Sequence, residues 1–227
     1  SFTITVNPTP TVNAQPNQTV CVGTITTATF TGAVAGTIYN WTNTNTNIGL
    51  GASGTGDISF TSTNATLVPI TGTLTVTPAY TNGGTTCTGT PVSFTITVNP
   101  TPTVNAVPNQ SICPGALTAP VTFTGAIAGT VFNWTNNNTS IGLGASGTGN
   151  IAAFTGVNPG TLPNVGTITV TPTYTTGGVS CSGTPITFTI TVTPNPSLVI
   201  VADPGTTICE GDPTLLTVRI GTSSPIS

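Results

Sequence analysis

The sequence repeats itself over a long interval. The segment "SFTITVNPTPTVNA" at Ser1–Ala14 returns letter for letter at Ser93–Ala106, and a looser copy, "TFTITVTPNP", begins at Thr187. A period of about 90 residues is too long for a solenoid unit and has the size of one small, independently folding domain. We therefore expect tandem copies of one domain, each with its own core.

The repeat also predicts the domain boundaries. We expect one complete repeat at 9–100 and a second at 101–194, with Pro-rich segments such as "NPTPTVNA" acting as short, stiff spacers. Residues 1–8 match the last strand of a preceding repeat, and 195–227 match the start of a following, truncated domain. The alternative for 1–8 is a strand that is donated to another molecule.

Both repeats alternate apolar and polar residues. In "SFTITV", Phe94, Ile96 and Val98 alternate with Ser and Thr, which is the period of two expected for a strand. The stretches "TNGG" at 81–84 and "TTGG" at 175–178 lie between alternating runs and predict hairpin turns. Short strands, frequent turn signals and no helical period predict an all-β fold of tandem antiparallel sandwiches of immunoglobulin type.

Charged residues are too few for most kinds of chemistry. The 227 residues include one basic residue, Arg219, four acidic residues and no histidine. General acid–base catalysis depends mainly on such side chains, and nucleic-acid binding needs many Lys and Arg residues. No apolar run has the length of a membrane span. We therefore expect no enzyme activity, no cofactor, no nucleic-acid partner and no membrane insertion.

The five cysteines follow the repeats. Cys21 and Cys87 lie in the first repeat, Cys113 and Cys181 in the second, and Cys209 in the third copy, where its partner would lie outside the chain. This distribution predicts one disulfide within each repeat, Cys21–Cys87 and Cys113–Cys181, and an oxidising, extracytoplasmic setting. The alternative is a pair of buried free thiols in each repeat. A metal site is disfavoured because histidine is missing.

A glycine-rich stretch has the letters of a dinucleotide-binding turn. It reads "GLGASG" at 49–54 and again at 142–147. Such a turn opens a helix and is followed by an acidic residue about twenty positions later. Neither signal follows here, so we expect a glycine-rich connection between strands and no nucleotide.

The tryptophans are the candidates for ligand binding. Trp41 and Trp134 are the two tryptophans of the chain. Exposed aromatic rings are typical of sugar sites, but we expect both rings to be core residues between the sheets, because a buried Trp is a hallmark of this kind of sandwich.

Carboxylates are the candidates for calcium binding. Asp203, Glu210 and Asp212 form the best group, whereas Asp57 stands alone and is replaced by Asn150 in the second repeat. Calcium sites require several clustered oxygen ligands. Solvated loop acids are the simpler interpretation, and we expect no metal.

Several strings resemble one known family. "NPTPTVNAVPNQSICPG", "FNWTNNNTSIGLGASGTGNIAAFTG" and "TITVTPTYTTGGVSCSGTPITFTITV" are similar to the PKD-like repeats of very large surface proteins from Bacteroidota, over residues 9–194. The later string "VADPGTTICEGDPTLLTV" resembles the immunoglobulin-like domains that accompany them. The resemblance implies type IX secretion and display on the cell surface, as in gliding-motility adhesins. The aspartate-rich turn of better-known PKD domains is missing, which weakens any calcium role.

Three functions fit these features. The first is a non-catalytic, disulfide-stapled stalk in a large secreted adhesin or fibre, whose partners are neighbouring repeats of the same chain. The second is self-assembly of identical chains into an extracellular filament or surface layer, through strand pairing at open sheet edges. The third is glycan or ligand binding by the repeat. All three place the chain outside the cell, at the cell surface.

Overall fold

The described part of the chain is all-β. A computed structural model describes residues 1–203 and 215–221, so Cys209, Glu210 and Asp212 lie outside the described residues. Within these ranges the helical elements are two short 3₁₀ turns, Thr46–Ile48 and Thr139–Ile141. The prediction of an all-β fold is confirmed.

The first repeat contains a larger and a smaller sheet. The strands are β1 (Gln18–Cys21), β2 (Ile25–Ala28), β3 (Ile38–Asn43), β4 (Ser53–Thr55), β5 (Ile58–Thr61), β6 (Ile70–Asn82), β7 (Thr85–Thr88) and β8 (Val92–Asn99). The larger sheet has the order β1-β8-β6-β3-β4 with β7 paired to β6, and β2 pairs with β5 in the smaller one. All of these pairings are antiparallel apart from that of β1, which runs parallel to β8.

The second repeat follows the same plan. Its strands are β9 (Gln110–Ile112), β10 (Val131–Asn136), β11 (Ser146–Thr148), β12 (Asn164–Thr176), β13 (Val179–Ser182) and β14 (Ile186–Val192). Two further strands, β15 (Ser197–Asp203) and β16 (Leu215–Gly221), follow this repeat in the segment 195–227. The main sheet has the order β11-β10-β12-β14-β9, with β13 paired to β12, and β15 pairs with β16. Strand β9 runs parallel to β14, as β1 does to β8. Isolated bridges at Leu117–Thr155 and Val121–Ile151 replace the smaller sheet.

The chain forms two compact units whose limits differ from those of the repeats. Unit 1 comprises Ser1–Val104, Gly125–Val131 and Pro172–Thr184, and unit 2 comprises Asn105–Thr124, Phe132–Thr171 and the described residues from Pro185 on. The end of β12 and all of β13, which belong to the second repeat by sequence, are thus part of unit 1. The repeat boundaries 9–100 and 101–194 stay predictions.

Alternating strands build the core of each unit. Every second residue of β6 and β8 faces the core of unit 1, and Leu74, Val76, Ile96 and Val98 have no exposed surface. Phe30 packs against the rings of β3 and β8, with ring centroids 5.9 and 6.3 Å away. Phe123 of unit 2 makes the matching ring contacts at 5.8 and 6.4 Å. The alternation of apolar and polar residues along these strands therefore determines which side chains pack in the core.

The outer face of the main sheet carries hydroxyl groups in place of charges. The hydroxyls of Thr71 and Thr97 lie 2.9 Å apart across β6 and β8, and those of Thr75 and Ser93 lie at the same distance. Such cross-strand pairs stabilise a sheet by a few tenths of a kcal/mol to about 1 kcal/mol each. This explains how the chain maintains polar sheet faces with so few ionisable residues.

The two predicted hairpin turns are confirmed. Gly83 and Gly84 connect β6 to β7 with φ of 57° and 77°, and Gly177 and Gly178 connect β12 to β13 with φ of 57° and 75°. Two successive left-handed residues form the turn whose twist matches that of the flanking strands.

The Pro-rich segment that was predicted to be a spacer packs onto the first repeat. Pro10 is buried, and Val12, which is 8% exposed, belongs to the core of unit 1. Gly89 has no room for a Cβ, because it would overlap the carbonyl oxygen of Pro10, and Gly183 has the same relation to Pro102. Packing therefore fixes these segments, in addition to the stiffness of proline.

The glycine-rich stretch connects strands, as predicted. It runs from the 3₁₀ turn after β3 into β4, and β4 pairs with β3. The Nδ2 of Asn43 donates hydrogen bonds to the carbonyl oxygens of Asn45 and Leu50, each at 3.0 Å. Trp41 packs so closely on Gly54 that a Cβ there would overlap the indole ring. The glycine-rich stretch thus allows the loop to pack closely against the indole ring of Trp41.

We predict that Gly54→Ala destabilises unit 1 by about 1–3 kcal/mol, because the indole ring of Trp41 or the β4 backbone must shift to admit the methyl group. The matched control is Gly51→Ala in the same loop, where the nearest atom to a Cβ, the Ser53 oxygen, is 3.9 Å away. Urea unfolding followed by tryptophan fluorescence measures both changes. Equal stability of the two variants would contradict the packing described here.

Candidate functional site: the Cys21–Cys181 joint

The edge strand β1 positions Cys21. Strand β1 pairs with β8 in a register that runs from Gln18 opposite Ile96 to Cys21 opposite Asn99. The Nε2 of Gln18 donates a hydrogen bond to the carbonyl oxygen of Thr27 at 3.0 Å, which ties β1 to the smaller sheet. Cys21 and Asn99 thus lie side by side where both strands end.

The hairpin β12–β13 positions Cys181. In this hairpin Cys181 lies opposite Tyr174. Within unit 1 the turn lies against β1, since a Cβ on Gly177 would be 3.0 Å from the Oγ1 of Thr19. The small turn residue therefore allows the hairpin to approach the edge strand closely.

A disulfide joins these two positions. Cys21 and Cys181 are bonded with an S–S distance of 1.97 Å and a Cα–Cα distance of 5.6 Å, which lies within the usual range for disulfides. Cys181 is 2% exposed. The bond spans a sequence separation of 160 residues, and closing so long a loop destabilises the unfolded chain by about 5 kcal/mol in the chain-entropy estimate.

The predicted pairing Cys21–Cys87 is wrong. Cys21 lies opposite Asn99, near the Ile70 end of β6, whereas Cys87 lies opposite Tyr80 near the other end of that strand. At about 3.3 Å per residue the two cysteines are roughly 33 Å apart along the sheet. A disulfide requires Cα atoms within about 7 Å. The cysteines of one repeat therefore cannot meet.

The predicted pairing Cys113–Cys181 is also wrong. Cys181 is bonded to Cys21, so no bond from Cys181 to Cys113 is present. Cys87 is half-buried, Cys113 is exposed, and both are free thiols in this structure. Counting cysteines predicted one disulfide within each repeat, whereas the observed bond joins cysteines of two different predicted repeats.

A buried amide reinforces the joint. Asn99 has no exposed surface, and its Nδ2 donates hydrogen bonds to the carbonyl oxygens of Thr176 at 3.1 Å and Val179 at 3.5 Å, the two residues that flank the hairpin turn. Its Oδ1 is buried and has no hydrogen-bond partner in the described part of the chain. The hairpin is thus held by a hydrogen-bonded amide as well as by the disulfide.

The same amide contact occurs at the start of the chain. The Nδ2 of Asn7 donates hydrogen bonds to the carbonyl oxygens of Asn82 at 3.1 Å and Thr85 at 3.4 Å, which flank the turn between β6 and β7. Asn82 in turn donates to the Oδ1 of Asn7 at 3.0 Å. The signal that sequence reasoning missed was therefore the asparagine that ends both exact copies of "SFTITVN"; in the third copy Thr193 takes its place.

The tryptophans lie in the core. Trp41 is 9% exposed and Trp134 is 8% exposed. The indole Nε1 atoms of both are buried and have no hydrogen-bond partner among the described residues. Neither ring presents the exposed face on which a sugar would stack.

The single carboxylate of residues 1–196 has a structural contact. Asp57 accepts a hydrogen bond from the backbone N of Phe30 at 2.9 Å, and Asn150 accepts the equivalent bond from Phe123 at 3.0 Å. An uncharged amide oxygen thus accepts the equivalent hydrogen bond in the second repeat. In the described ranges no group of three or more His, Cys, Asp or Glu residues is placed to hold a metal.

The same ranges contain no helix of the length and apolarity that a membrane span requires.

A comparison with known protein families finds a match for part of the chain. Residues 110–196 match the model of a family described as "PKD-like domain". The match covers less than half of the chain. Together with the internal repeat and the all-β architecture, it supports a PKD-like repeat protein. No curated protein matches the chain.

Three solved structures of other proteins are distantly similar to this chain. The Dpr2 Ig1-Ig2 complex with DIP-Theta Ig1-Ig3 has 11% identity and a TM-score of 0.36, over 86% of this chain and 70% of that one. Mouse cadherin-23 EC22-24 has 11% identity and a TM-score of 0.32, over 82% and 65%. Tandem Ig repeats of Dlar have 13% identity and a TM-score of 0.28, over 82% and 99%. Likenesses this distant assign no function.

We predict that Cys21→Ser and Cys181→Ser each lower the free energy of unfolding by about 2–5 kcal/mol, and that the double variant loses no more than either single one. The matched controls are Cys87→Ser and Cys113→Ser, which remove free thiols and should change stability by no more than about 0.5 kcal/mol. Denaturant titration without reductant measures all five variants. If Cys87→Ser lowered the free energy of unfolding as much as Cys21→Ser does, the result would support a Cys21–Cys87 disulfide and contradict the Cys21–Cys181 bond.

Proposed function

We propose that this chain is a non-catalytic repeat region of a large secreted cell-surface protein, an adhesin or fibre, in which it acts as a stalk. The observation that carries the proposal is the Cys21–Cys181 bond, which ties the hairpin of the second repeat to the edge strand of the first. A stalk must keep consecutive repeats from separating under load. A covalent bond between repeats supports that task better than bonds confined to single repeats.

The other features of the joint support the same function. Asn99 holds the hairpin turn through two hydrogen bonds, and Pro102 packs on Gly183. These contacts involve no charged side chain, so salt and pH should affect them weakly. A disulfide is typical of oxidising compartments, which supports an extracellular location. Display on the cell surface of a Bacteroidota cell, through type IX secretion, is the context that the resemblance of the repeated strings implies.

A second candidate function is self-assembly through strand pairing. Residues 1–7 form no strand, and Phe2, Ile4 and Val6 are 86%, 78% and 85% exposed. The same residue types in the identical segment of β8 are buried in the core. An exposed apolar segment of this kind fits an acceptor sheet, either in a preceding repeat of the same protein or in an identical chain. Glycan binding is not proposed, because both tryptophans are buried.

We expect electron microscopy of native surface material that contains this chain to show thin strings of separate beads, because the joints described here connect consecutive repeats along one chain. An ordered fibre with regular lateral contacts would contradict the stalk and favour self-assembly.

The matched control uses the purified chain and its Phe2→Ser/Ile4→Ser/Val6→Ser variant, which removes the exposed apolar side chains. For a stalk we expect both to sediment as monomers under oxidising conditions. Multimers that form from the unaltered chain and disappear in the variant would identify strand exchange as the function.

A further inference from the structure

We propose that Cys87 and the β6–β7 hairpin form an acceptor site for the cysteine-bearing edge strand of another repeat of the same kind, and that Cys87 is bonded there as Cys181 is bonded to Cys21. This inference rests on the proposed function, because it requires a further repeat before residue 9. It adds a disulfide that links successive repeats in a fixed order, from the edge strand of one repeat to the hairpin of the next.

The amide contacts supply the first argument. Asn99 ends β8 of the first repeat and binds the turn of the second, and Asn7 binds the turn of the first repeat through the same pair of carbonyl positions. The donor–acceptor distances agree to within 0.1 Å at each position. The amide hydrogen bonds of a second joint are therefore present at Asn7.

The segment before Asn7 supplies the second argument. Ser1–Ala14 is identical to Ser93–Ala106, so residues 1–7 correspond to β8. In the complete joint an edge strand runs parallel to β8 and places its cysteine opposite Asn99. An equivalent edge strand beside residues 1–7 would place its cysteine opposite Asn7, next to the hairpin that carries Cys87.

The open face of the hairpin supplies the third argument. Gly177 lies against Thr19 of β1, whereas a Cβ on the equivalent Gly83 would meet no atom within 4 Å. Cys181 is 2% exposed, whereas Cys87 is only half-buried. The two hairpins thus differ in the one contact that an edge strand provides.

The partner is a further repeat with a thiol at the position of Cys21. Bond formation needs an oxidant, and a small-molecule disulfide such as oxidised glutathione suffices. One cysteine thiolate displaces a glutathione thiolate to form a mixed disulfide, and the second cysteine thiolate displaces the other glutathione. The two thiols lose their protons, one S–S bond forms, and the oxidised glutathione is reduced to two thiols.

The test adds one repeat to the complete chain. Residues 1–92 are placed before residue 1, which recreates the natural junction because Ser1–Ala14 equals Ser93–Ala106. In the added copy, Thr24→Ser gives its Cys21 peptide a distinct mass, and Cys87→Ser removes its own hairpin thiol. The protein is folded with oxidised and reduced glutathione, alkylated, and digested with chymotrypsin without reduction, since the chain lacks lysine and has one arginine.

We expect mass spectrometry to find the tagged Cys21 peptide joined to the Cys87 peptide of the complete chain, with loss of Cys87 alkylation. Cys21→Ser in the added copy is the matched control and should restore that alkylation. An alkylated Cys87 beside an intact Cys21–Cys181 bond would overturn the inference and leave the stalk standing, because the chain would be folded. Loss of both bonds between repeats would contradict the stalk itself.

Discussion

The parallel pairing of β1 with β8 is the contact on which the Cys21–Cys181 joint depends. That pairing places Cys21 beside Asn99 at one end of the first repeat, and both side chains then hold the hairpin β12–β13, one by a covalent bond and one by hydrogen bonds. Without the parallel edge strand, Cys21 would not reach the hairpin. The inclusion of 172–184 in unit 1 follows from the same contacts.

The low content of charged residues fits a structure whose polar contacts are made by neutral side chains. With one basic and four acidic residues in the chain, polar groups are satisfied by amides and hydroxyls: Asn43 ties down a loop, Thr71 pairs with Thr97, and Asn99 binds a turn. Hydrogen bonds between neutral groups contribute about 1 kcal/mol each and depend little on ionic strength. The disulfide adds a covalent constraint that no combination of these hydrogen bonds supplies.

Local features could be predicted from the sequence, and long-range ones could not. The alternation around Phe94, the two Gly-Gly turns and the glycine-rich connection depend on neighbouring residues, so their patterns are visible in the sequence. The cysteine pairing depends on which end of the sheet each strand reaches. The repeat assigns Cys21 and Cys87 to one domain, but only the register of β1 and β7 places them at opposite ends of β6. Asn7 and Asn99 were visible as a repeated residue, yet their role depends on a hairpin that lies 75 or more residues away.

The measurement that tests the account most directly is single-molecule pulling on the oxidised chain, held at its two ends, while a reductant is added under force. The account predicts one disulfide cleavage per chain, which releases about 580 Å of contour length, because 160 residues are enclosed by the bond at about 3.6 Å per residue. Two separate cleavage steps of smaller and similar size would show disulfides within the individual repeats, and would contradict the joint on which the stalk depends.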